Sequence, residues 1–145
     1  MKILLDTNVL FSGLGFQGVV GRLLETLVTK DHTIVTSEFI LEELREKIRI
    51  KFKGPQKAQA LDLLLHILAQ IDLDVKAAET YRGKLALAET FVPEQDAPIL
   101  ALAMLDEVDY FVTGDLTHFQ SNPNITAMPW RTKILSPREL LELLT

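Results

Sequence analysis

The chain contains no cysteine, which removes disulfides, thiolate zinc sites and cysteine nucleophiles together. Its chemistry must come from oxygen ligands or histidine. No apolar run approaches the roughly 20 residues needed to cross a bilayer. The opening MKILLDTNVL reaches an acid after Ile3-Leu4-Leu5, too early for the apolar region of a secretory signal. A cytoplasmic protein that does not enter a membrane is expected. Internal repeats, low-complexity tracts and linkers are also missing, so one domain over residues 1–145 is expected. What is present is ordinary globular composition: 145 residues, 48% hydrophobic and 24% charged, which excludes disorder, collagen and coiled coil. A chain of this size buries roughly 68–70% of its unfolded surface and needs no staple.

The net charge of −5 argues at first against a nucleic-acid partner. The average conceals a segregation. Between residues 45 and 57, Arg45, Lys47, Arg49, Lys51, Lys53 and Lys57 face the single Glu46, so this segment carries +5 and the remainder −10. Such a run is either a solvated helix face or an electrostatic footprint for phosphate.

Short apolar runs at Lys2–Leu5 and Thr33–Thr36 predict buried strands. Between them Val19, Val20, Leu23, Leu24, Leu27 and Val28 recur at helical spacing. Strand, helix, strand is the pattern of a parallel βαβ unit. Further strands are expected at Tyr110–Thr113 and Thr132–Leu135, giving an α/β fold. From Ser37 to Leu105 the chain reads as helical. Ile40, Leu41, Leu44 and Ile48 mark one helix; Leu61, Leu64, Leu65, Leu68 and Ile71 mark another. A third spans 77–90, and a fourth follows Asp96 with Ile99, Leu100, Ala103 and Met104 inward. Ser136-Pro137-Arg138-Glu139 is a capping box opening the last helix, and 121–129 reads as a loop.

In parallel sheets ligands bind beyond the carboxyl ends of the strands. Asp6 and Asp115 stand there, although each could merely cap a helix or close an Asx turn. Asp96 continues the apolar face of its own helix and needs a partner, which N-capping could also provide. On the helix from Ser37, Glu42 and Glu46 point away from the apolar stripe. Glu38 and Glu43 flank it on opposite edges, and the helical wheel does not choose between them. Asp6, one of these glutamates, Asp96 and Asp115 form the oxygen donor set that hard divalent cations prefer. Two carboxylates about 4 Å apart repel by roughly 4 kcal/mol at an effective dielectric near 20. A Mg²⁺ or Mn²⁺ ion would relieve that repulsion and could support phosphodiester hydrolysis.

LLDTNVL at 4–10, SEFILEELREKI at 37–48, DAPILALAML at 96–105 and VTGDLTHF at 112–119 resemble, in that order, the signature blocks of PIN domains. The resemblance spans nearly the whole chain and is strongest to the prokaryotic toxins of toxin–antitoxin systems, VapC-like metal-dependent ribonucleases. It implies a three-layer Rossmann-like fold, with a central parallel sheet of four or five short strands flanked by helices. It also implies that Asp6, Glu43, Asp96 and Asp115 are the catalytic metal ligands, and so favours Glu43 over Glu38. Thr7, Asn8 and Thr113 resemble the family's small polar residues that hydrogen-bond to those carboxylates. Thr117, followed by His118, stands where many relatives carry a further Asp, so the resemblance leaves one or two metals open. His118 could donate to a phosphate or hold a water, or be an ordinary solvated side chain. His32 and His66 read as incidental.

The expected activity is cleavage of RNA with Mg²⁺ or Mn²⁺, with Lys47, Lys51 and Lys53 contacting the RNA backbone. The resemblance further implies an antitoxin partner and a homodimer. Two other readings are a degenerate fold that only binds RNA or protein, and a phosphatase or phospho-acceptor. The latter fits poorly, because haloacid-dehalogenase phosphatases carry a second Asp where this chain has Asn8.

Overall fold

The computed structural model describes residues 1–13, 19–29, 32–115, 119, 121–128 and 130–145. Among the described residues five strands form one sheet: β1 (Lys2–Leu5), β2 (Thr33–Ser37), β3 (Asp72–Lys76), β4 (Tyr110–Val112) and β5 (Lys133–Leu135). Their order is β3-β2-β1-β4-β5 and every pairing is parallel. Parallel neighbours need crossovers, which are right-handed in nearly all proteins. The chain moves outward from β1 through β2 to β3, then returns across the sheet to β4 and continues to β5. The crossovers before and after β3 therefore lie on opposite faces.

The helices divide accordingly. α1 (Thr7–Gly13), α2 (Val19–Thr29), α3 (Glu38–Lys51) and α4 (Pro55–Gln70) pack among themselves, and α9 (Pro137–Leu144) joins α2. On the return path α5 (Ala78–Tyr81) and α6 (Leu85–Glu89) pack on α7 (Ala97–Ala103), and the short α8 (Pro123–Thr126) precedes β5. Ile3, Leu4, Leu5, Val35, Phe111 and Val112, all 0% exposed, place the core on the three central strands. Phe111 meets Phe119 edge to face, with ring centroids 5.0 Å apart.

Several elements differ from the sequence reading. The stretch read as helical contains β3, whose charged residues Asp72, Asp74 and Lys76 alternate with Leu73 and Val75. It pairs only with β2, and an edge strand can keep charges that a buried parallel strand cannot. The helix expected over 77–90 breaks into α5, a 3₁₀ turn at Arg82–Lys84 and α6. Gly83 lies in that turn, and glycine is a poor helix former. Residues 123–126 are helical, with the Asn122 side chain accepting from the Asn124 amide at 3.0 Å. Helix α1 follows Asp6 directly, as the helix-capping alternative for Asp6 allowed. On α4 Leu64 is buried, but Leu65 is 66% exposed. The capping box at Ser136 and Glu139 forms in both directions, at 3.0 and 3.1 Å. Among the described residues no helix is long and apolar enough to cross a membrane.

Candidate active site

The two crossover directions diverge between β1 and β4, and a crevice opens at such a switch point beyond the strand ends. Asp6 leaves β1 there and Asp115 follows β4. The backbone knits this corner together: the Asp6 amide donates to Val112 O at 2.9 Å, and the Thr113 amide to Leu135 O at 3.0 Å. The Asp6 carbonyl accepts from Val9 and Leu10 at 3.0 and 3.1 Å, so α1 starts at the strand end without a bridging loop.

A crevice of about 560 Å³ lies at this corner, and Asp6, Glu43, Asp96 and Asp115 all line it. A larger groove of about 800 Å³ between α2 and α4, lined by Leu24, Val28, Leu63 and Ile67 among others, holds Glu25 as its one acid among the described residues. The chemistry-bearing residues gather in the smaller crevice.

Asp6 is only 5% exposed. Burial pushes its carboxyl above the usual carboxylate range, and the nearby charges of Glu43 and Asp96 push the same way. The Thr113 hydroxyl, donating to Oδ2 at 2.8 Å, and the Thr7 amide oppose that rise. Thr113 is fully buried and its hydroxyl also accepts the Asp115 amide at 3.0 Å. The Thr7 hydroxyl, also buried, donates to Glu43 Oε1 at 2.6 Å. Asn8 accepts from Lys47 Nζ, which also sits 5.5 Å from the centroid of the Phe11 ring.

Glu43 reaches the crevice because it stands beside, not on, the core stripe of Ile40, Leu44 and Ile48. Glu38 is exposed and is not among the crevice-lining residues. Glu42 and Glu46, read as pointing away, are exposed but form part of the crevice wall with Phe39, Ile50, Ile99 and Phe119. The helical wheel missed them because the crevice runs along the flank of α3. Asp96 is half-buried at the end of a 3₁₀ turn and occupies the N-cap position of α7, but its side chain makes no cap hydrogen bond. Lys47 lines the crevice, whereas Lys51 and Lys53 are exposed and do not. Thr117 and His118 lie outside the described residues.

The donor set fits a hard divalent cation, since every candidate ligand is a carboxylate and all four line one crevice. Among the described residues no group of three or more His, Cys, Asp or Glu side chains is placed to hold a metal ion.

A doubly wound parallel sheet with a carboxylate crevice at its switch point defines an α/β protein of the Rossmann-like class. The PIN domain profile matches residues 2–117, and the chain belongs to the PIN domain family. Solved structures share the fold. VapBC2 of Rickettsia felis, bound to a DNA fragment from its promoter, matches with TM-score 0.65 and 21% identity over 93% of this chain and 99% of that one. FitAcB of Neisseria gonorrhoeae matches with TM-score 0.60 and 20% identity, covering 93% and 97%. A toxin–antitoxin complex from Klebsiella pneumoniae matches with TM-score 0.62 and 17% identity, covering 93% and 97%. No curated protein sequence matches significantly.

Proposed function

We propose that this PIN domain is a Mg²⁺- or Mn²⁺-dependent endoribonuclease and the toxin of a toxin–antitoxin pair. The observation that carries the reading is the buried carboxyl of Asp6 lining one crevice with Glu43, Asp96 and Asp115. Those four acids would hold the cation. When bound, a divalent ion lowers the pKa of water and neutralises developing charge on a phosphoryl oxygen.

The remaining work falls to the chain itself. Thr113 and Thr7 fix the orientation of Asp6 and Glu43 through their hydroxyls. Lys47, at the crevice wall, supplies positive charge for an RNA phosphate, and Lys51 and Lys53 extend that charge outward along the substrate. Hydrolysis forms a P–O bond from water and breaks the bond to a ribose oxygen, which takes up a proton as it leaves. The toxin role rests on the shared fold with the Rickettsia and Klebsiella complexes. It carries with it an antitoxin partner, a homodimer and a cytoplasmic location.

The test is cleavage of a fluorescent RNA with Mg²⁺ or Mn²⁺, with and without EDTA, by the wild type and Asp6→Asn. Metal-dependent cleavage lost in Asp6→Asn, with folding intact, is expected. That no group of three or more His, Cys, Asp or Glu among the described residues is placed to hold an ion favours a second reading, a non-catalytic RNA- or protein-binding module. RNA binding without turnover under every metal would support that reading instead.

A further inference from the structure

The crevice face of α3 carries more than acids. Its lining residues follow helical spacing: Phe39, then Glu42 and Glu43, then Glu46 and Lys47, then Ile50. Phe39 stands one turn, roughly 6 Å, N-terminal to Glu43, and Lys47 one turn C-terminal to it. Phe39 is not part of the fully buried Ile40, Leu44 and Ile48 stripe that anchors the helix. It packs against the core but is only partly buried, and it lines the carboxylate crevice.

A partly exposed aromatic side chain beside the acids offers a contact that a phosphate alone does not use. An unstacked nucleobase does, because every base has a π-face and stacking on an aromatic side chain is sequence-tolerant. Resting on the nuclease reading, we propose that Phe39 is a substrate-selecting residue on which one unpaired base of RNA stacks while the adjoining backbone lies along Glu43 toward Lys47. An A-form duplex holds its bases in the helical stack and cannot present one to Phe39 without being opened.

The test is fluorescence-anisotropy binding in EDTA, which prevents cleavage, with cleavage in Mn²⁺ measured in parallel. A short single-stranded RNA, its duplex and a series with each nucleotide in turn made abasic are compared. Wild type should prefer the single strand, and one abasic position should weaken binding by roughly 5- to 100-fold. Phe39→Leu, which keeps apolar packing, should weaken the intact strand by a similar factor and leave that abasic strand unaffected. Phe39→Trp should restore the preference. Equal binding of single strand and duplex, no sensitive abasic position, or Phe39→Leu equal to wild type on the intact strand would overturn the proposal. If RNA is cleaved, those results leave the nuclease reading standing; if wild type neither binds nor cleaves RNA, both fall.

Discussion

Thr113 donates its hydroxyl proton to Asp6 at 2.8 Å across the switch point of the sheet. Its oxygen accepts the Asp115 amide at 3.0 Å, so one buried hydroxyl joins two candidate ligands from different strands. Thr113→Val keeps the shape and removes both bonds. The expected cost is about 1–3 kcal/mol in stability, because a buried carboxylate and an amide lose a partner. Metal affinity should fall roughly 10- to 100-fold. Thermal unfolding and a Mn²⁺ titration check the two separately.

Glu43 is held by Thr7 and lies close enough to raise the Asp6 carboxyl. Glu43→Gln should lower cleavage by at least an order of magnitude, whereas Glu38→Gln, on the exposed side of α3, should leave it unchanged. Equal losses in a single-turnover assay would contradict the assignment of Glu43.

Lys47 is the candidate phosphate contact within the crevice. For single-stranded RNA each neutralised phosphate contributes about 0.7 to the slope of log affinity against log salt. Lys47→Gln should weaken binding and flatten that slope by about this amount. Replacing Lys47, Lys51 and Lys53 together should flatten it further, and an unchanged slope would remove the basic segment from the RNA interface.

Asp109 offers a pH test away from the crevice. Its carboxyl is held below the usual range first by the Lys2 amide at 2.8 Å and then by Arg131. Its contribution is therefore complete above the unfolded-state value near 4 and is lost as pH falls through the lower folded-state value. Asp109→Asn should lower stability by roughly 1 kcal/mol at pH 7, since water reaches the ion pair. The gap from wild type should close below about pH 4, as read by denaturant unfolding across pH.

Asp6 has the opposite sign. A carboxyl raised by burial opposes folding once it ionises, so stability is lost as pH rises from the unfolded-state value through the folded-state value. Without metal, Asp6→Asn should unfold at the same temperature as wild type at pH 7 or at a higher one. Added Mn²⁺ should raise the midpoint of wild type alone.

The central strands and the acids at their ends were legible because buried parallel strands are uninterrupted apolar runs that stop where the chain leaves the sheet. Asp6 and Asp115 are marked by those stops. Strand β3 was hidden by Asp72, Asp74 and Lys76, which an edge position tolerates. The helical wheel narrowed the α3 acid to Glu38 or Glu43 and stopped there. A wheel reports the core stripe, while the crevice is defined by α1, α7 and β4 approaching from elsewhere. The family resemblance pointed to Glu43, and the Thr7 bond places it in the crevice. The contact of Lys47 with Asn8 and Phe11 joins residues 36 to 39 positions apart, and no local pattern announces it.

The most direct measurement is isothermal titration of Mn²⁺, then Mg²⁺, into EDTA-stripped protein at neutral pH, for wild type and Asp6→Asn. Saturable uptake by wild type that Asp6→Asn loses while remaining folded is the predicted result. No uptake of either ion by folded wild type would contradict the assignment of this crevice as a metal centre.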